Sequence, residues 1–143
     1  MTEQVTGHCL CGGVTIRVSK SDRTLGACHC RMCQRWSGAL FVCFAASPEA
    51  VTIEGEVVQY ASSHFAERAF CPICGSHLWM RDTDHKDARY DLIPGLFDAA
   101  LDWPLRSEIY ADRAPDGVSL AGDHARISQK QYEAEHPHLN GEV

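Results

Sequence analysis

Residues 14–18, Val14-Thr15-Ile16-Arg17-Val18, alternate apolar and polar side chains with a period of two, which predicts a half-buried strand. Residues 40–45 form a short continuous apolar run and predict a buried strand. Further strands are expected over 25–28, 57–60, 66–70, 78–81, 90–93 and 107–110. Ser62-Ser63 marks a turn between two of them, and Pro94-Gly95 marks another. A helical turn fits 31–36 and a short helix fits 129–135, while 136–143 reads as a frayed tail. Short strands broken by Gly, Ser, Asp and Pro predict a mainly β fold.

Composition narrows the class. At 143 residues the chain predicts one domain, 1–143, with its core over about 5–115 and a polar C-terminal extension over about 116–143. The net charge of −6, from 13 basic and 19 acidic residues with no Lys/Arg run, argues against a nucleic-acid partner. Residues 1–18 hold no long apolar stretch, and no segment reads as a membrane span or secretory signal. The expectation is a cytoplasmic protein whose thiols stay reduced.

That redox setting decides how the cysteines are read. Seven of the eight fall into three tight groups: Cys9-Leu10-Cys11, Cys28-His29-Cys30-Arg31-Met32-Cys33 and Cys71-Pro72-Ile73-Cys74. Reduced thiols at such spacings predict metal ligands, and Cys9 and Cys11 lie too close along the chain to bridge each other without strain. The two pairs, Cys9, Cys11, Cys71 and Cys74, make one closed structural zinc site. Gly12 and Gly75 follow their knuckles and allow the positive φ that turns backbone N–H groups toward the sulfurs. The triplet, Cys28, Cys30 and Cys33, supplies three ligands for a second zinc with its fourth position open for a substrate thiol. Two Zn2+ per chain are therefore expected. A second closed site completed by Cys43, a histidine or a backbone group stays open as an alternative, as does a metal-free thiol redox site.

Other residues fit around these groups. Cys43, between Val42 and Phe44, reads as a buried, inert thiol. His29 lies between two ligands and is expected to point away from the metal, and His8 and His77 flank the knuckles without ligating. Arg31 and Arg35 follow the triplet and suit either a substrate carboxylate or an ordinary solvated helix face. Trp36, Trp79 and Trp103 read as packing residues.

Taken together, Gly7-x-Cys9-x-Cys11-Gly12, Cys28-His29-Cys30-x-x-Cys33 and Cys71-x-x-Cys74-Gly75 resemble the glutathione-dependent formaldehyde-activating enzyme (GFA) family, which includes the centromere protein V type of domain. The resemblance implies a β-tent fold of small antiparallel sheets organised around zinc, with the same partition of ligands. It implies carbon–sulfur lyase chemistry at the Cys28, Cys30 and Cys33 centre, on the adduct of glutathione or another small thiol with a small aldehyde such as formaldehyde. A non-catalytic binding module, with both zincs structural, is the competing expectation. Neither reading fixes the oligomeric state.

Overall fold

In the computed structural model, which describes residues 3–139, the elements are β1 (Val5–His8), β2 (Thr15–Val18), β3 (Leu25–Cys28), α1 (Arg31–Ser37), β4 (Phe41–Ala46), β5 (Val51–Glu54), β6 (Val58–Ala61), β7 (Ala66–Phe70), β8 (His77–Asp82), β9 (Tyr90–Leu92), β10 (Leu105–Ile109), β11 (Ala125–Ile127) and α2 (Gln129–Glu135). They gather into two compact units, Met1–Arg23 with Cys43–Trp103, and Thr24–Val42 with Pro104–Val143.

The first unit is antiparallel throughout. The alternating segment becomes β2, with Ile16 and Val18 buried and Thr15 and Arg17 on the opposite face. β2 lies between β1 and β5, and Arg17 forms an ion pair with Glu54 of β5 on the wet side. The larger sheet of this unit runs β4-β9-β8-β7-β6. Phe44, Leu92 and Trp79 stand opposite one another on one face and Leu78 lies on the other, each at most 2% exposed. Phe44 meets Phe97 and Trp103 edge-on at 5.1 and 5.0 Å, the geometry aromatic quadrupoles favour. Pro94-Gly95 begins a 3-10 turn, as its sequence requires.

The second unit pairs its strands differently. β10 lies between β3 and β11, parallel to both, with Ile109 opposite Cys28 on one side and Ile127 on the other. Parallel neighbours need long connections, and the chain supplies one from β3 to β10. The helix α1 starts at the triplet: Cys30 is its N-cap, and its sulfur accepts the Cys33 amide. At the other end Ser128 and Gln131 form a reciprocal capping box that fixes the start of α2.

The mainly β reading with small antiparallel sheets holds, and the parallel set in the second unit adds to it. β1, β5 and β11 are strands that the sequence reading left out. The segment 137–139, expected to fray, is a 3-10 turn with Leu139 buried, because the apolar side chain finds cover there. The rest of that expected tail, 140–143, lies outside the described residues. Cys43 is half-buried rather than fully enclosed, since it sits at an intermediate position of the β4 burial pattern.

Candidate metal centres

The first unit brings Cys9, Cys11, Cys71 and Cys74 together, with all four sulfurs within 4.8 Å of one another. Cys9 and Cys11 sulfurs are 3.6 Å apart, and those of Cys11 and Cys71 are 3.8 Å apart. A tetrahedral zinc with Zn–S bonds of about 2.3 Å requires sulfur–sulfur edges of about 3.8 Å, so these residues fit such an ion. Two hairpin-like knuckles make the arrangement. In the first, the Cys9 amide donates to the Val14 carbonyl and the Gly12 amide to the Cys9 carbonyl. In the second, the Cys71 amide donates to the Ser76 carbonyl and the Gly75 amide to the Cys71 carbonyl. Gly12 and Gly75 have φ of 79° and 75°, the left-handed conformation expected of them.

The knuckles also solvate the sulfurs. Val14 N–H donates to Cys9 Sγ, Gly13 N–H to Cys11 Sγ and Ile73 N–H to Cys71 Sγ, at 3.3–3.4 Å. The Ser76 hydroxyl lies 3.2 Å from Cys74 Sγ and accepts the Leu10 amide at 3.0 Å, which links the knuckles directly. These donors set the thiol acidities. The Ser76 hydroxyl and amide bring Cys74 down to about 5. Cys11 receives the Gly13 amide, but its neighbouring sulfurs and burial prevail and push it up to about 11. Four thiols thus do not ionise together unaided, and a dication held at their centre would supply the missing compensation.

The second unit brings Cys28, Cys30 and Cys33 together, again with sulfurs within 4.8 Å of one another. β3 delivers Cys28 at its last position, and the first turn of α1 carries Cys30 and Cys33 inward, both 4% exposed. Hydrogen bonding to Cys30 and Cys33, followed by burial and charge repulsion, pushes the Cys28 thiol well above its usual range. This too is a donor set whose crowding a thiophilic dication would relieve. Among the described residues, no histidine, acidic residue or Cys43 joins this cluster.

His29 is fully buried and its Nε2 donates to Glu108 Oε1 at 2.7 Å. Glu108, on β10, also accepts from His124 and faces Arg126 Nε at 3.3 Å. Burial pulls its carboxyl up, but the hydrogen bonds and charges of His124 and His29 together prevail and hold it below the usual range. Gln34 donates from one amide nitrogen to the His29 and Arg113 carbonyls, at 2.7 and 2.8 Å. Arg31 and Arg35 are exposed on α1. His8 is exposed and His77 half-buried, and neither joins a cysteine group. The sequence reading missed Ser76, Glu108 and His124. Of these only Ser76 carries a local signal, a hydroxyl two residues beyond a knuckle cysteine.

Comparison with known proteins places the chain among relatives. The model of the family described as "Glutathione-dependent formaldehyde-activating enzyme" matches residues 4–113. An uncharacterized lyase of Schizosaccharomyces pombe is 32% identical over 116 residues, covering 80% of this chain and 84% of that one. The crystal structure of a Rhodobacter sphaeroides protein shares the fold, with a TM-score of 0.53 at 18% identity, covering 85% of this chain and 99% of that one. The chain belongs to the glutathione-dependent formaldehyde-activating enzyme family.

Proposed function

From that membership we propose that the protein is a zinc-dependent carbon–sulfur lyase. It joins and parts a small thiol, glutathione in the first place, and a small aldehyde such as formaldehyde. The observation that supports this most is the unequal pair of cysteine groups: four converging sulfurs in one, and three in the other with no further His, Cys or acidic ligand atom beside them among the described residues. The name of the fission-yeast relative, a lyase, supports the reaction class.

In this reading Cys9, Cys11, Cys71 and Cys74 hold a structural zinc that ties together two knuckles 60 residues apart. Cys28, Cys30 and Cys33 hold the second ion and are the catalytic centre. Zinc bound there would supply Lewis acidity that favours the thiolate form of a bound thiol. Buried Cys30 and Cys33 present their sulfurs from a helix start whose cap is fixed, so the centre is preorganised. In the forward direction a sulfur–carbon bond forms, the carbonyl π bond breaks, and the thiol's proton ends on the new hydroxyl oxygen. The lyase direction reverses each change. None of the eight cysteines forms a disulfide, which suits a reducing compartment, and the cytoplasm is the proposed location. Among the described residues no helix is long and apolar enough to cross a membrane.

The test counts metal per chain before and after a chelator and glutathione, and follows thiol–aldehyde exchange by NMR against the uncatalysed rate. Two zinc ions, one of them exchangeable, and accelerated exchange lost in a folded Cys30→Ser variant are expected. Two ions that resist both treatments, with no acceleration, would favour the binding module.

A further inference from the structure

The residues matched by the family model end at 113, yet the chain beyond them is attached at two separate points to β10, the strand that pairs with β3, and to the residue that follows it. The first is Glu108. Its carboxylate lies 5% exposed and joins His29, between the triplet's first two cysteines, to His124 and Arg126, which belong to the later segment. Arg126 in turn donates to the Leu120 and Gly122 carbonyls at 2.8 and 3.1 Å, which closes the loop carrying His124. The second is Tyr110, 1% exposed and in the left-handed conformation at φ 53°. Its hydroxyl donates to Glu133 Oε2 of α2 at 3.0 Å, and Tyr132 of the same helix lies against its ring at 5.6 Å between centroids. A buried tyrosine held at positive φ needs its surroundings to keep it there.

The backbone follows the same plan. β10 passes its hydrogen bonds to β3, which ends at Cys28, and to β11, which comes from the later segment. The Ile109 carbonyl accepts the His29 amide at 3.1 Å. A buried carboxylate stripped of its partners is costly, so Glu108 cannot keep its place without His124 and Arg126. If Glu108 moves, the His29 side chain loses its acceptor, and His29 is the residue that separates two ligands.

We propose that the segment 120–135 is a working part of the triplet centre, with His124 as the positioning residue that holds Glu108, and through it His29, so that Cys28, Cys30 and Cys33 keep one geometry. This rests on the reading of the triplet as a metal site. It assigns His124 and Glu108 a role through other residues, with no contact to substrate.

The experiment uses the full chain with Co2+ loaded in place of zinc, comparing wild type, His124→Ala, His124→Gln and Cys28→Ser. Subtracting the Cys28→Ser spectrum isolates the visible and sulfur charge-transfer bands of the triplet ion. His124→Gln keeps an N–H donor toward Glu108 and controls for loss of folding, as does retention of the four-cysteine ion. Partners that orient ligands typically change metal affinity about ten- to a hundredfold. His124→Ala is expected to shift the triplet bands and weaken that ion at least about tenfold, with His124→Gln restoring both. Unchanged bands and affinity in His124→Ala, with two ions in wild type, overturn this inference alone. So does loss of the four-cysteine ion in both His124 variants, which would assign the residue to general folding. A single Co2+ in wild type overturns the metal reading of the triplet as well.

Discussion

Asp91 offers a stability test independent of the metals. It lies on β9 opposite Ala45 of β4 and Met80 of β8, with neighbours on both sides. Its side chain is 19% exposed and pairs with Arg89 Nε at 3.3 Å. Burial dominates and pushes its carboxyl up to about 6; Arg89 opposes this and Asp82 adds to it. A carboxyl moved from 3.8 to about 6 corresponds, at about 1.4 kcal/mol per pH unit, to about 3 kcal/mol. The native state binds more protons than the unfolded chain between about pH 4 and pH 6, so stability falls as pH rises through that window. Above it the full cost is present. Asp91→Asn removes the charge and keeps the shape. Urea unfolding should show the variant more stable than wild type by about 3 kcal/mol near pH 7.5 and by about half that near pH 5. Because both proteins carry the same cysteines, any loss of metal at the lower pH cancels in the difference. A variant less stable than wild type near pH 7.5 would refute the argument, since it would mean that the Arg89 pair outweighs desolvation.

Ile16, fully buried at the centre of the three-stranded sheet, should cost about 2–5 kcal/mol when changed to Ala, read from the urea midpoint. Ser76→Ala should raise Cys74 above its value of about 5, visible as an upward shift in the pH profile of Cys74 alkylation in metal-stripped protein. Ser128→Ala removes the cap of α2 and should cost about 1 kcal/mol; a change under a few tenths would show that the capping box adds nothing in this context.

Much of the first unit was legible because its strands carry their own signals. The reading of 66–70 coincides with β7, and the period-two run contains β2. α2 matches its expected span, and the structure adds the capping box of Ser128 and Gln131 that fixes its start. β1 was hidden by Gly7 in the middle of four residues, which weakens any strand pattern. β11 is three residues, Ala-Arg-Ile, two of them exposed, and exists because β10 offers an edge. The cysteine groups were visible because each is local. The Glu108 cluster was not, since His29 and His124 lie 79 and 16 residues from it along the chain, and nothing in a local window joins them.

The two cysteine groups differ in more than ligand number. Four thiolates around a dication leave two negative charges, and the chain answers them with the amides of Gly13, Val14 and Ile73 and the hydroxyl of Ser76. Those donors draw electron density from the sulfurs and make the four-sulfur centre a poor nucleophile. They arise from the knuckle turns themselves, so a change that opened the centre would also undo the turns. The triplet is built from a strand end and a helix start instead. Its Cys30 sulfur takes an amide from Cys33 as an N-cap, while the wider support comes through His29 and Glu108. Under the positioning proposal, support of that kind would hold the ligands in place without adding a donor to each sulfur. On the proposed function, a centre that binds and releases a thiolate would call for that combination, and a centre that only holds two turns together would not.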